Sequence, residues 1–190
     1  MNSQLFALPD VLGRLRFVLA FVLTGIALNG SRTIFLVVLA CAMLLDAIDG
    51  PIARYLQRQS EQGARLDSVA DFSVYMSLVF GVSQLWPQQF REQLVFIALA
   101  AASMILPLIW ALIKFHTYTS YHTWLVKVAT VFLACGTLML LVWDKAQLFR
   151  LASFISVIAG LEQIIITFLL TKPAADVRHV FAVYRSTRRP

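Results

Sequence analysis

The chain has 190 residues, of which 59% are hydrophobic and 14% charged, and its formal net charge is +6. An ordinary soluble domain has roughly 45–50% apolar and about 25% charged residues, so this chain lacks the polar side chains that a soluble surface needs. Disorder is also excluded, because disordered chains are poor in apolar residues. The composition predicts an all-α polytopic membrane protein, whose positive charge indicates topology or attraction to anionic lipid rather than nucleic-acid binding.

Six predominantly apolar segments predict membrane-spanning helices, each of which needs about 20 residues. In chain order they are approximately Leu12–Leu28, Thr33–Ala53, Gly63–Leu85, Gln93–Phe115, Tyr121–Trp143 and Gln147–Leu170. Residues 1–11 predict a short interfacial helix before the first span, and residues 171–190 a basic cytoplasmic tail. Because the connections are short, we expect residues 1–190 to form a single transmembrane domain.

The basic residues predict the orientation of these spans. With six spans, both termini lie on the same side as the loops after the second and fourth spans, and cytoplasmic loops carry an excess of Lys and Arg. That side holds twelve of the sixteen basic residues: Arg14, Arg16, Arg54, Arg58, Arg65, Lys114, Lys127, Lys172, Arg178, Arg185, Arg188 and Arg189. Both termini are therefore expected to be cytoplasmic, in the inner membrane if the source is bacterial.

Four of the ten acidic residues fall in or beside the second and third spans: Asp46, Asp49, Asp67 and Asp71. An aspartate at the centre of a spanning helix costs about 2.5–3.5 kcal/mol on the insertion scale, so such residues are candidates for function. The structural alternative is that these carboxylates pair with nearby Arg residues or are solvated at the cytoplasmic interface.

Helical spacing gathers these carboxylates on one face of each span, together with residues that have small side chains. The two faces, each about 100° wide at 100° per residue, consist of Asp46, Asp49, Gly50 and Ala53, and of Gly63, Asp67, Ala70 and Asp71. Because the loop between the spans is short, we expect the faces to meet. Four oxygen donors suit one or two Mg²⁺ or Mn²⁺ ions, and such a pair can clamp phosphate oxygens. Pro51 predicts a kink or an early end of the second span.

These residues resemble the signature D-x2-D-G-x2-A-R-x8-G-x3-D-x3-D of the CDP-alcohol phosphotransferases at every fixed position. The signature fixes eight residues over 26: Asp46, Asp49, Gly50, Ala53, Arg54, Gly63, Asp67 and Asp71. The resemblance extends to the six-helix layout and nearly the whole length. The family often carries Pro-Asn, then Thr or Ser and an Arg before the first span; Pro9 and Arg16 fit this run, whereas Asp10 and Gly13 depart from it.

The resemblance implies transfer of a phosphatidyl group from CDP-diacylglycerol to the hydroxyl of a small polar alcohol, with release of CMP. It implies a homodimer in the bilayer and a divalent metal pair held by the four aspartates, with Asp71 also as the general base. The cytidine would lie against Gly50, Ala53 and Gly63, and Arg54 would either lie near the nucleotide or support the carboxylates.

The acceptor alcohol is left open between serine and glycerol 3-phosphate. Asp67-Ser-Val-Ala-Asp71 is similar to the phosphatidylserine synthases, while Lys127 partly matches a lysine-rich run of the glycerophosphate enzymes. Lys127, Arg14 and Lys114 are candidates for acceptor binding, with membrane anchoring or topology as the alternative. Three roles are considered for Glu162: pairing with Lys127, orienting the acceptor, or a structural hydrogen bond between helices.

A cation-coupled transporter is the second functional hypothesis, because intramembrane carboxylates also line ion pathways. That hypothesis leaves the spacing of Gly50, Ala53 and Gly63 unexplained, and the sequence has no evident internal repeat.

Overall fold

The structure is a computed structural model that describes the backbone of residues 8–55, 61–116 and 123–170 and the side chains of residues 13–48, 69–116 and 123–170. The described chain is helical, as predicted. Its seven helices are α1 (Leu8–Leu28), α2 (Arg32–Tyr55), α3 (Glu61–Leu85), α4 (Pro87–Glu92), α5 (Leu94–Phe115), α6 (Trp124–Trp143) and α7 (Gln147–Leu169).

The helices agree with the six predicted segments, apart from details at three places. α1 begins at Leu8, so the last residues of the predicted interfacial segment belong to the first long helix. α2 continues through Pro51 to Tyr55, so an early end at Pro51 is wrong; proline removes one backbone donor, which neighbouring turns can tolerate. The short α4 follows the third segment and was not predicted.

The chain divides into two compact units, Met1–Arg91 and Glu92–Pro190. In the first unit α1 packs most extensively against α3 and next against α2, whereas α2 and α3 touch little in the part of the chain that the structure describes. α1 is therefore the helix around which the described part of this unit is organised.

α1 and α2 each contribute a stripe of buried residues at helical spacing. The stripe on α1 contains Ala20, Leu23 and Ala27, and the stripe on α2 contains Phe35 and Leu39. Steps of three, four and seven residues place such positions on one helix face. The alanines allow the backbones to approach closely, as is typical of helix pairs in membranes.

The connection between α1 and α2 is a tight turn at Gly30, whose φ of 78° favours glycine. Beyond this turn the Phe35 ring packs against Trp86, with ring centroids 6.0 Å apart, and Arg32 lies over the Trp86 ring. A Cβ added at Gly81 would be 2.2 Å from the Phe35 ring, so this end of the unit needs a glycine on α3.

In the second unit α7 packs against both α5 and α6. Its contact face is made of small residues, including Ala152, Ser153, Ser156, Ala159 and Gly160. The buried serines donate to carbonyls of their own helix: Ser153 to Phe149 and Ser156 to Ala152, each at 2.9 Å. Back-bonding of this kind satisfies hydroxyl groups where water is excluded.

Three helices of the described chain, α5, α6 and α7, are long and apolar enough to cross a membrane. In the first unit a shorter apolar segment covers Val69–Leu85. Large apolar side chains are also exposed on the outside of that unit, among them Val18, Phe21 and Val37. The prediction of an integral membrane protein agrees with these findings, and the count of six spans stays a prediction.

We expect Gly160→Ala to destabilise the second unit, because the new Cβ would be 2.7 Å from the Ser103 carbonyl oxygen. Forcing a methyl group into such a contact costs about 1–3 kcal/mol. Gly25→Ala is the matched control, since a Cβ at Gly25 meets nothing within 4 Å. Thermal unfolding of the purified chain in detergent should give a lower Tm for Gly160→Ala alone, and equal Tm values for the two variants would contradict the packing described for α5 and α7.

Candidate active site

The eight residues of the signature lie on two helices. α2 carries Asp46, Asp49, Gly50, Ala53 and Arg54, and α3 carries Gly63, Asp67 and Asp71. The structure describes the side chains of Asp46 and Asp71, the first and last members of the set. The side chains of the other six lie outside the described residues, and their assigned roles stay predictions.

Asp46 and Asp71 meet at one buried cation on α1. The Nη1 atom of Arg16 donates to Oδ1 of Asp46 at 2.5 Å and also to Oδ1 of Asp71. Because one nitrogen contacts both oxygens, the two carboxylates are no more than about 6 Å apart. Asp46 of the second predicted span and Asp71 of the third thus share one partner, and the meeting of the two whole acidic faces stays a prediction.

Helix geometry explains why three helices bring their charges to one level. Arg16 lies eight residues after the start of α1, Asp46 nine residues before the end of α2, and Asp71 ten residues after the start of α3. At a rise of 1.5 Å per residue, each charge is roughly 12–15 Å from its helix end. Since the three ends share one side of an up-down-up arrangement, the charges occupy the same layer.

The three side chains differ in exposure. The Arg16 side chain is 1% exposed, whereas the side chains of Asp46 and Asp71 are 46% and 39% exposed. The guanidinium is thus covered by protein, whereas both carboxylates are partly exposed. Removing one partner from a buried ion pair costs about 3–5 kcal/mol, with the lower end appropriate for carboxylates that are partly exposed.

Further along α1 and α3, hydroxyl side chains form hydrogen bonds between and within the two helices. The Thr24 hydroxyl contacts Ser77 Oγ at 3.1 Å, and Ser77 donates to the Ser73 carbonyl at 2.9 Å. Hydrogen bonds between helices contribute about 0.6 kcal/mol on average in membranes. They also fix the register of α1 against α3, and hence the height of Arg16 relative to Asp71.

The candidates for acceptor binding lie in both units. Arg14 is exposed on α1, and Lys127 on α6 lies over the Trp124 ring, 4.9 Å from its centroid. Glu162 is half-buried on α7. The acceptor roles of Arg14 and Lys127 and the role of Glu162 stay predictions.

Lys114 makes a structural contact in the second unit. Its Nζ donates to the carbonyl oxygens of Thr167 and Phe168 at 2.9 and 2.8 Å, at the C-terminal end of α7. The last carbonyls of a helix have no partner within the helix and attract cations. Lys114 therefore caps α7 from α5, and its acceptor role stays a prediction.

The donors around Arg16 suit a hard divalent cation. Both described oxygens are carboxylates of the kind that Mg²⁺ and Mn²⁺ prefer, and they already lie on either side of one positive charge. Asp49 and Asp67 lie three and four residues away on the same helices. No group of three His, Cys, Asp or Glu side chains suited to a metal is found among residues 13–48, 69–116 and 123–170, a search that leaves out Asp49 and Asp67.

Arg16 fits the arginine position of the family pattern before the first span, and it also counts among the basic residues that mark topology. The sequence does not indicate its contacts, which the structure gives to Asp46 and Asp71. A second signal was present in the sequence. Arg16 lies four residues before Ala20 on the apolar stripe of α1, so a charge was facing the core.

The fold and the site define a class of protein: a helical membrane protein with acidic residues that come together from neighbouring helices. The sequence profile of the CDP-alcohol phosphatidyltransferase family matches residues 6–171, and the chain belongs to this family. The family resemblance seen in the aspartate signature is thereby confirmed.

Relatives that the chain matches are named as phosphatidyltransferases. The chain is 36% identical over 92 residues to the CDP-diacylglycerol–serine O-phosphatidyltransferases of Mycobacterium bovis and Mycobacterium tuberculosis. The aligned stretch covers 46% of this chain and 32% of theirs, so the chain matches about a third of the length of these relatives. No solved structure matches the chain significantly.

We expect Lys114→Met to lower the Tm by roughly 2–4 °C, because α7 loses a cation that caps its last carbonyls. Lys145→Met is the control, since Lys145 is an exposed lysine between α6 and α7. Thermal unfolding of both variants checks the contact. A Tm equal to that of the wild-type chain would contradict a capping role for Lys114.

Proposed function

We propose that the chain transfers a phosphatidyl group from CDP-diacylglycerol to the hydroxyl of a small polar alcohol and releases CMP, as a step of phospholipid synthesis. The family match over residues 6–171 supports this reaction and favours it over the cation-coupled transporter. The observation that carries the site assignment is the meeting of Asp46 and Asp71, from two helices, at one cation.

The proposed site holds two divalent metal ions, either Mg²⁺ or Mn²⁺, between Asp46, Asp49, Asp67 and Asp71. Bound metal would supply Lewis-acid neutralisation of the diphosphate charge as CMP leaves. The carboxylate oxygens of Asp46 and Asp71, which are within about 6 Å of each other, support this assignment. Metal dependence is part of the proposal.

Asp71 acts in this proposal as the general base. Its carboxylate takes the proton of the acceptor hydroxyl, whose oxygen then attacks the phosphorus on the lipid side of the diphosphate. The part of the Asp71 side chain that is exposed gives the acceptor access to this carboxylate. Arg16 holds the other side and so restricts the direction from which the hydroxyl can approach.

The nucleotide is proposed to lie against the small residues of the signature. Gly50 and Ala53 on α2 and Gly63 on α3 have little or no side chain, which would let a flat base lie close to the backbone. Arg54 would lie near the nucleotide phosphates, where a guanidinium is a suitable partner.

Serine is the acceptor that we propose first. The relatives from Mycobacterium are named for transfer to serine, and the stretch Asp67-Ser-Val-Ala-Asp71 resembles that group. Glycerol 3-phosphate is the second candidate. Lys127, Arg14 and Lys114 are the cations proposed to bind a negatively charged group of the acceptor.

The enzyme is proposed to act as a homodimer with six spans in each protomer and with both termini and the site on the cytoplasmic side. The excess of Lys and Arg on that side supports the topology. CDP-diacylglycerol has its nucleotide in water and its acyl chains in lipid, so a site about 12–15 Å from the helix ends suits such a substrate.

We expect Asp71→Asn to lower the rate of CMP release by about 10²-fold or more, because general-base catalysis contributes about 10²–10⁴-fold. The assay follows CMP from CDP-diacylglycerol in detergent micelles with Mg²⁺ or Mn²⁺ and serine. Asp144→Asn is the matched control, since Asp144 is an exposed aspartate at the C-terminal end of α6. A full rate for Asp71→Asn, with an unchanged Tm, would refute the assignment of the base.

We expect serine to support CMP release at least about tenfold faster than glycerol 3-phosphate at equal concentration, a discrimination of about 1.4 kcal/mol. Mass spectrometry of the lipid product identifies the acceptor that was transferred. Phosphatidylglycerophosphate as the main product would overturn the serine assignment and leave the reaction class intact. Formation of no product from a panel that also includes inositol and choline would refute the proposed function.

A further inference from the structure

We propose that Arg16 is a tethered counter-ion that exchanges with the divalent cation at Asp46 and Asp71. The inference rests on the proposed function, since it concerns the metal of that same site. Arg16 would hold the carboxylates of α2 and α3 together until the cation binds, and it would compete with the cation for both of them. Arg16 is a positioning residue in this role, because it acts through the two carboxylates.

The geometry supports exchange at this pair. Nη1 contacts Oδ1 of Asp46 and Oδ1 of Asp71, the two described carboxylates that would help to hold the divalent cation. A metal ion binds carboxylate oxygen at about 2.0–2.1 Å. A nitrogen at 2.5 Å from Oδ1 of Asp46 and a metal on the same oxygen would place two positive charges side by side, so the binding of one weakens the binding of the other.

The charges at the site favour the divalent cation over Arg16. Arg16 brings one positive charge to Asp46 and Asp71, which carry two negative charges. Asp49 and Asp67 on the same helices add two more acidic groups at the sequence level. A divalent cation compensates this charge better than a guanidinium does, so it can displace Arg16 although Arg16 is covalently tethered.

The burial of Arg16 explains why it stays near the site. Its side chain is 1% exposed. It lies next to the apolar stripe of α1, which contains Ala20, Leu23 and Ala27. Arg14, two residues away on the same helix, is exposed. Of these two arginines, Arg16 alone is held against the carboxylates, and Arg14 provides a matched control of equal charge.

The test compares Arg16→Gln and Arg14→Gln with the wild-type chain in two measurements. The first is the Tm in EDTA, and the second is the affinity for Mn²⁺, measured from the loss of the free-ion signal in electron paramagnetic resonance. For Arg16→Gln we expect a Tm in EDTA that is lower by about 5–10 °C, because two carboxylates lose their partner. We expect its Mn²⁺ affinity to rise by about fivefold or more, because the competing cation is gone. Arg14→Gln should change neither value.

Three outcomes would overturn the inference. An unchanged Tm in EDTA would show that Arg16 does not hold the carboxylates together. An Mn²⁺ affinity of Arg16→Gln that is equal to or weaker than that of the wild-type chain would exclude competition and leave the proposed function standing. Absence of Mn²⁺ binding in every variant, with CMP release persisting in EDTA, would overturn both the inference and the metal assignment of the proposed function.

Arg16→Lys keeps the inference testable if Arg16→Gln does not fold. An ammonium group keeps the charge and loses the planar geometry of the guanidinium, so both shifts should have the same signs and smaller sizes. Recovery of folded Arg16→Gln with Mn²⁺ but not with EDTA would support exchange. A lysine variant that binds Mn²⁺ no more tightly than the wild-type chain would overturn it.

Discussion

The first unit depends on the placement of one buried positive charge between two negative ones. Arg16, Asp46 and Asp71 come from three helices, and the buried Arg16 guanidinium would be unstable among apolar residues without the two carboxylates. The charges therefore fix the heights of α1, α2 and α3 relative to one another. The apolar stripes on the same helices provide the contact area, but they would tolerate a shift of one turn far better than the ion pairs would.

The remainder of the described structure is held by close approach of small residues. Where apolar side chains can be solvated by lipid, helix association relies on tight packing and on hydrogen bonds between and within helices. Gly160 against Ser103, and Gly136 against the backbone of Phe149, are contacts of this kind in the second unit. The exposed apolar residues on the outer faces fit the same environment, because they would face acyl chains rather than water.

The sequence was sufficient to predict the helices and the acidic set, because apolar segments of membrane length and a signature with fixed spacing are strong local signals. It was not sufficient for the contacts that cross between helices. The family pattern and the charge asymmetry both include Arg16, but its contacts follow from the helix face on which it lies. Lys114 is a sequence candidate for acceptor binding or a marker of topology, and only the structure brings it to the end of α7. In both cases the partner is more than 50 residues away for at least one contact, so no local pattern indicates it.

The order of synthesis gives the Arg16 site a consequence for assembly in the membrane. Asp46 follows Arg16 by 30 residues and Asp71 follows it by 55, so the arginine is made long before either carboxylate. In the proposed six-span topology a lone guanidinium at that depth is unfavourable in lipid, so α1 would reach its final depth only when α2 and α3 have entered the bilayer. Biogenesis of the first unit would then be cooperative over three helices, and a ribosome that stalls before Asp71 would leave α1 with an incompletely compensated charge.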